Sequence, residues 1–223
     1  PTVLGKYGED IALLTGDALL FKGFSELFEG LMNLDVPVKK KLRILKMVLK
    51  LYFEMGDAEA LELKFREWAD VKPKEYLHVL RKKAADIEVC MKIGAIVGKG
   101  SKEQLNILGK YGRALGMMAL LRDDLEDSLD FQMLRSRLKH ESPPLPIMFA
   151  LEKRGKRKNI FTIIKSEIDE TNFRKLLSLI SKAGGFNRTS AILEQLRNEV
   201  YNLPLNNQLK RILDAIIPLP LKI

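Results

Sequence analysis

The sequence predicts an all-α protein. Three observations carry this: apolar residues recur at helical spacing through most of the chain, runs that alternate every second residue are almost absent, and the periodicity stops where turn chemistry sits. With 223 residues, 46% of them hydrophobic and 30% charged, the chain is long enough to bury a core as one domain over 1–223.

The first helical stretch runs Ile11–Leu31, with Ile11, Leu14, Ala18, Phe21, Phe24, Phe28 and Leu31 on one face. Leu34-Asp35-Val36-Pro37 ends it, and Lys39–Met55 resumes the pattern through Leu42, Leu45, Val48, Leu49 and Tyr52. Further breaks fall at Val71-Lys72-Pro73, Gly98-Lys99-Gly100-Ser101, Ser142-Pro143-Pro144, Gly184-Gly185 and Asn202-Leu203-Pro204. Pro73 before Lys74-Glu75-Tyr76, and Ser101 before Lys102-Glu103-Gln104, have the form of helix starts. The run closest to a strand, Ile160–Ile164, continues into a helical pattern. Roughly eight or more helices in one domain are expected.

Composition excludes several classes. No apolar run is long enough to span a bilayer. The start Pro1-Thr2-Val3-Leu4-Gly5 has neither the basic end nor the apolar block of a secretory signal. A single cysteine, Cys90, forms no intrachain disulfide and suits a reducing compartment, hence a cytoplasmic expectation. Two histidines, His78 and His140, do not make a His-rich zinc site. The net charge of +9 suits an anionic partner of some kind. A nucleic-acid module would need a helix-turn-helix or aromatic-basic signature, and neither is found.

The densest chemistry lies in Arg122-Asp123-Asp124-Leu125-Glu126-Asp127. On a helix, Asp123 and Asp127 stand one turn apart and Asp130 nearly one more, while Met117, Leu121, Leu125 and Leu129 form a separate apolar stripe. Like charges at this spacing repel unless a cation neutralises them. Oxygen donors without His or Cys suit a hard cation, Mg²⁺ above all. The competing reading is a solvated acidic face paired with Arg122 and Arg135.

Five segments, in order along the chain, resemble the polyprenyl diphosphate synthase family of trans-prenyltransferases. Pro1-Thr2 followed by Gly8-Glu9-Asp10-Ile11-Ala12-Leu13-Leu14-Thr15-Gly16-Asp17 is similar to the family segment just after its first aspartate-rich motif. Glu59-Ala60-Leu61-Glu62 falls where the family carries a Gln or Glu and then an acid. Tyr76 to Ala85 resembles the helix whose Lys-Thr pair contacts diphosphate, with Lys83 in place and Ala84 for the threonine. Tyr111-Gly112-Arg113-Ala114-Leu115-Gly116 leads into Asp123–Asp127 as the family leads into its second aspartate-rich motif, and Leu145-Pro146-Ile147 is similar to the family's next helix start.

The resemblance implies an isoprenoid-synthase-type helical bundle, here without its first helices and so N-terminally incomplete. It implies Mg²⁺-dependent condensation of an allylic prenyl diphosphate with isopentenyl diphosphate, and a homodimer. Asp123, Asp124 and Asp127 become the metal-binding and catalytic residues, with Lys83, Arg137 and Lys139 as diphosphate ligands. Leu120 stands where the family carries a glutamine, and Ser142-Pro143-Pro144 replaces its Lys-x-Thr. A divergent prenyltransferase with another acceptor, or a weakened binding or regulatory subunit, is the alternative. At residue level, Lys83 is either a diphosphate ligand or a surface lysine, and Arg137 and Lys139 either ligands or exposed charges. Glu62 has Arg66 at i+4 as a local ion-pair partner.

Overall fold

A computed structural model of the chain describes residues 2–65, 71–166 and 168–215, and every regular element among them is a helix. The described residues form twelve helices, several of them opened by a side chain that satisfies otherwise orphaned N–H groups. Two units emerge, Pro1–Lys46 and Met47–Ile223.

In the first unit, α1 (Val3–Tyr7) is capped by Thr2, whose Oγ1 accepts from the Gly5 N–H at 3.0 Å. Helix α2 (Glu9–Asn33) ends ahead of Pro37, whose carbonyl opens α3 (Val38–Lys64) by accepting from Lys40 and Lys41. Lys41 Nζ also donates to the Met32 carbonyl at 3.0 Å.

The second unit takes the rest of α3 and builds the remaining helices. Pro73 opens α4 (Pro73–Lys83) with the Glu75 carboxylate accepting from the Lys72 N–H at 2.9 Å. A break at buried Ala84 separates α4 from α5 (Ala85–Val97). Ser101 and Gln104 form a reciprocal capping box on α6 (Lys102–Leu129), with bonds of 3.1 and 2.8 Å. Helices α5 and α6 pack so closely that a Cβ on Gly112 would lie 2.6 Å from the Ile87 carbonyl oxygen and 2.9 Å from Glu88 Cα.

Asp130 is not the third member of an acidic stripe. Helix α6 stops at Leu129, and Asp130 Oδ1 caps α7 (Phe131–His140) by accepting from the Met133 N–H at 2.8 Å. Of the expected apolar stripe, Met117, Leu121 and Leu125 are buried and Leu129 is exposed, because the helix ends there.

Helix α8 (Leu145–Leu151) is buried almost throughout. Around it pack α9 (Arg154–Lys165), α10 (Glu170–Ala183) and α11 (Gly185–Tyr201), with Gly184 at φ +79° joining the last two. Helix α12 (Asn207–Asp214) closes the series. One core cluster joins Tyr76, Leu80, Ala84, Met117, Leu121 and Met148, and so fixes α4, α6 and α8 against each other. A second joins Leu125, Leu134, Ile147, Ile160, Leu176 and Ile180.

Candidate active site

In the second unit, α3, α4, α6 and α7 enclose a cavity of about 450 Å³ lined by both charged and apolar side chains. Periodicity delivers the charged ones: Tyr76, Leu80 and Lys83 share a face of α4, and Leu120, Asp123, Asp124 and Asp127 a face of α6. Glu59 and Glu62 come from α3, Arg137 from α7, and Glu141 and Ser142 from the turn after it.

Lys83 is not a surface lysine. Its side chain is 21% exposed and pairs with both Glu62 and Glu59, the latter at 3.0 Å. Burial works against its charge, but the hydrogen bonds to Glu62 and Glu59 outweigh that and raise its pKa, so it remains a cation. Glu62 is further held by the Ser142 hydroxyl, which donates to it at 3.1 Å. The local alternative for Glu62, a pair with Arg66, lies outside the described residues.

The three aspartates of α6 differ in environment. Asp124 is 2% exposed. Its Oδ1 accepts from the Tyr76 hydroxyl at 2.9 Å and from Arg137 Nη2 at 2.8 Å, and its Oδ2 accepts from the Leu145 N–H at 2.9 Å. Burial pushes its pKa up, opposed by the Arg137 charge and by these hydrogen bonds. Asp127, half-buried, accepts from Arg137 Nη1 at 2.8 Å. Asp123 is exposed in the cavity mouth and has no ion-pair partner among the described residues. Its pKa is raised by burial and then by the neighbouring Asp127 and Glu126 charges.

Arg137 is not an exposed helix-end charge. Its side chain is 12% exposed and spans Asp124 and Asp127, and Nη2 also donates to the Tyr76 hydroxyl at 2.9 Å. Its pKa is raised: burial opposes the charge, and Asp124 foremost among its neighbours outweighs it. Burial and the Asp124 charge together hold the Tyr76 hydroxyl protonated. Lys139 is exposed at the end of α7 and does not line the cavity. Arg122 pairs within its own helix, with Glu126 at 2.7 Å.

Tyr76 and Ser142 are cavity residues that sequence reasoning did not single out as site candidates. The available signal for Tyr76 was its position seven residues before Lys83, on the same helical face. Ser142 was marked only as the start of the stretch that replaces the family's Lys-x-Thr, because its role depends on how the turn after α7 brings it to Glu62.

A hard cation fits Asp123 and Asp127, which offer oxygen donors one turn apart, the first of them uncompensated. Asp124 does not fit direct ligation, since both its oxygens are engaged. Among the described residues no group of three or more His, Cys, Asp or Glu is gathered closely enough to hold a metal unaided. A bound cation would therefore complete its shell from phosphate oxygens and water, the usual habit of Mg²⁺.

The helical bundle brings carboxylates and a lysine to one cavity, and comparison with known proteins identifies its fold as that of isoprenyl synthases. The family model for polyprenyl synthetase matches residues 1–180, and the chain belongs to that family. A short chain isoprenyl diphosphate synthase of Methanothermobacter thermautotrophicus is 34% identical over 128 residues, 57% of this chain and 38% of that protein. A geranylgeranyl diphosphate synthase of Sulfolobus acidocaldarius is 29% identical over 126 residues, covering 56% and 38%. The matched region is thus about two fifths of the length of these relatives. The crystal structure of geranylgeranyl pyrophosphate synthetase from Pyrococcus horikoshii Ot3 matches in fold with a TM-score of 0.81, over 98% of this chain and 70% of that one, at 24% identity.

Proposed function

We propose that this chain acts in isoprenoid biosynthesis as a Mg²⁺-dependent prenyltransferase of the polyprenyl or geranylgeranyl diphosphate synthase type. The observation that carries this reading is the placement of Lys83 and the Asp123/Asp127 pair on one cavity, in a chain of the polyprenyl synthetase family. Both relatives described above are named as isoprenyl or geranylgeranyl diphosphate synthases.

The reaction is the condensation of an allylic prenyl diphosphate with isopentenyl diphosphate. The allylic C–O bond breaks and pyrophosphate departs with the electron pair. The isopentenyl double bond then attacks the allylic carbon, and a proton is lost to restore a double bond. Asp123 and Asp127 would hold Mg²⁺, which would supply charge neutralisation for the leaving pyrophosphate. Lys83 meets the same charge with a fixed ammonium, already oriented by Glu59 and Glu62. Leu80 and Leu120 give the cavity an apolar side beside Lys83 and Asp123, where the hydrocarbon of an allylic substrate would pack. Arg137 and Tyr76 are positioning residues, since they act through Asp124 and Asp127. Mg²⁺, a homodimeric state and a cytoplasmic setting belong to this proposal. Among the described residues no helix is long and apolar enough to cross a membrane.

A second reading is a binding or regulatory subunit without turnover, and the occupation of Asp124 and Asp127 by Arg137 favours it. Titration calorimetry of the 223-residue chain with geranyl diphosphate, with and without Mg²⁺, tests the shared premise. Incubation with labelled isopentenyl diphosphate then separates the readings: elongated product supports the transferase, and Mg²⁺-dependent binding without product supports the subunit. Binding indifferent to Mg²⁺ would sink both.

A further inference from the structure

The chain's excess of positive charge does not reside at the cavity, where Lys83 and Arg137 are outnumbered by carboxylates. Residues 153–188 hold ten of the 38 Lys and Arg but three of the 29 Asp and Glu, a balance of +7 against +9 for the whole chain. Within this segment α9, Arg-Gly-Lys-Arg-Lys-Asn-Ile-Phe-Thr-Ile-Ile-Lys, contains no acidic residue. Ile160 and Ile164 turn inward to the second core cluster with half-buried Lys156 one turn before them on the same side, so Arg154, Arg157, Lys158 and Lys165 are left exposed on the outer face. Arg154, Arg157, Lys158, Phe161, Thr162 and Lys165 line a shallow concavity there of about 520 Å³. Lys153, Arg154, Lys156 and Lys158 have no carboxylate in ion-pair reach among the described residues, and Lys165 lies over the Phe161 ring at 5.3 Å. Lys153, Arg154 and Lys158 thus carry charge that no carboxylate among the described residues answers, and an anionic surface outside the molecule complements it.

We infer that the outer face of α9 is a docking surface for an anionic lipid bilayer. Clusters of four to eight basic residues on an amphipathic helix have this property through electrostatic attraction to acidic headgroups. A bilayer suits the shape better than a nucleic acid, because the face offers one aromatic ring and no stacking platform or deep groove. The apolar side of α9 is committed to the core, so the helix rests on headgroups without inserting and attraction is screened by salt. The surface is separate from the cavity of Asp123 and Lys83, and the inference stands whether or not that site catalyses.

Vesicle sedimentation of the whole chain tests it. The chain should bind phosphatidylcholine vesicles containing about 30 mol % phosphatidylglycerol, and release them as salt rises from about 0.1 M to about 1 M. Replacing Arg154, Lys158 and Lys165 by Gln together should lower partitioning about a hundredfold, at about fivefold per basic residue near the surface. Replacing exposed Lys39, Lys46 and Lys50 by Gln removes the same charge elsewhere and should change binding little. Unaltered thermal melting in both triple variants reports an intact fold; if the first melts early, Lys158→Gln alone should still weaken binding about fivefold. Equal binding to pure phosphatidylcholine, equal loss in both triple variants, or displacement from vesicles by a DNA duplex at matched phosphate would overturn the inference.

Discussion

Arg137 bridges Asp124 and Asp127, with Nη2 2.8 Å from one carboxylate and Nη1 2.8 Å from the other, so an internal cation sits on the second half of the acidic motif. The Tyr76 hydroxyl and the Leu145 N–H complete the shell of Asp124, which is why a carboxylate can be buried on an otherwise apolar helix face. This division leaves Asp123 as the accessible, uncompensated member of the motif.

Arg137→Gln should therefore destabilise the protein strongly. Removing one partner of a buried pair strands the other, at a cost of about 3–5 kcal/mol. Denaturant unfolding checks it, and Arg137→Gln with Asp124→Asn should recover part of the loss. The same single variant frees Asp127, so under conditions where it is folded its Mg²⁺ affinity should rise.

Asp123→Asn should separate stability from binding. The folded pKa of Asp123 lies above its ordinary value of 3.8, so the penalty is absent below that value, appears as pH rises through the interval up to the raised pKa, and persists above it. The variant should thus be more stable than wild type at pH 7 by a few tenths of a kcal/mol, the modest size reflecting solvent screening of an exposed carboxylate. The gain should vanish in acid. Mg²⁺-dependent binding of geranyl diphosphate should be lost in the same variant. A melting series from pH 3 to pH 8, paired with calorimetry, reads both effects.

The contrast between these two residues marks how far the sequence could be read. Helices and breaks were legible because period and capping are local: Pro73, Ser101, Gly184 and Pro204 each stand at a junction seen in the fold. The same local reading placed Asp123 and Asp127 one turn apart and Lys83 on its helix face. It failed at Asp130, where a cap was taken for a third stripe member, because helix ends are set by competing side-chain bonds rather than by period. The hydrogen bonding of Tyr76 and Arg137 to Asp124 was invisible, since Tyr76 and Asp124 are 48 positions apart and meet only through packing of α4 on α6. Arg137 read as a diphosphate ligand or an exposed helix-end charge, and for the same reason neither reading foresaw its place between Asp124 and Asp127.

Lys83→Ala should weaken geranyl diphosphate binding by about 1.5–3 kcal/mol, the value of charge-assisted hydrogen bonds lost at a partly buried site. Two carboxylates, Glu59 and Glu62, would then face the incoming diphosphate unbalanced. Lys83→Arg should restore less than the full affinity, because a planar fork does not reproduce a compact ammonium held between two glutamates. Calorimetry with Mg²⁺ present checks both. Equal affinity in wild type and Lys83→Ala would remove Lys83 from the site.

Gly112→Ala tests whether the α5–α6 crossing sets the cavity. A methyl group at Gly112 meets the Ile87 carbonyl oxygen at 2.6 Å and Glu88 Cα at 2.9 Å, both backbone atoms that cannot rotate away, so α5 must shift. Helix α5 begins two residues after Lys83, and its displacement carries the end of α4 with it. The expected cost is about 1–3 kcal/mol of stability, from forced backbone movement in a packed interface. A further fall in diphosphate affinity should follow, as Lys83 moves away from Asp123. Gly56→Ala is the control: it lies within α3, its added Cβ meets nothing within 4 Å, and it should gain about 0.5–1 kcal/mol from helix propensity. A Gly112→Ala variant that matches wild type in melting and in diphosphate affinity would show that the helices separate without consequence for the site.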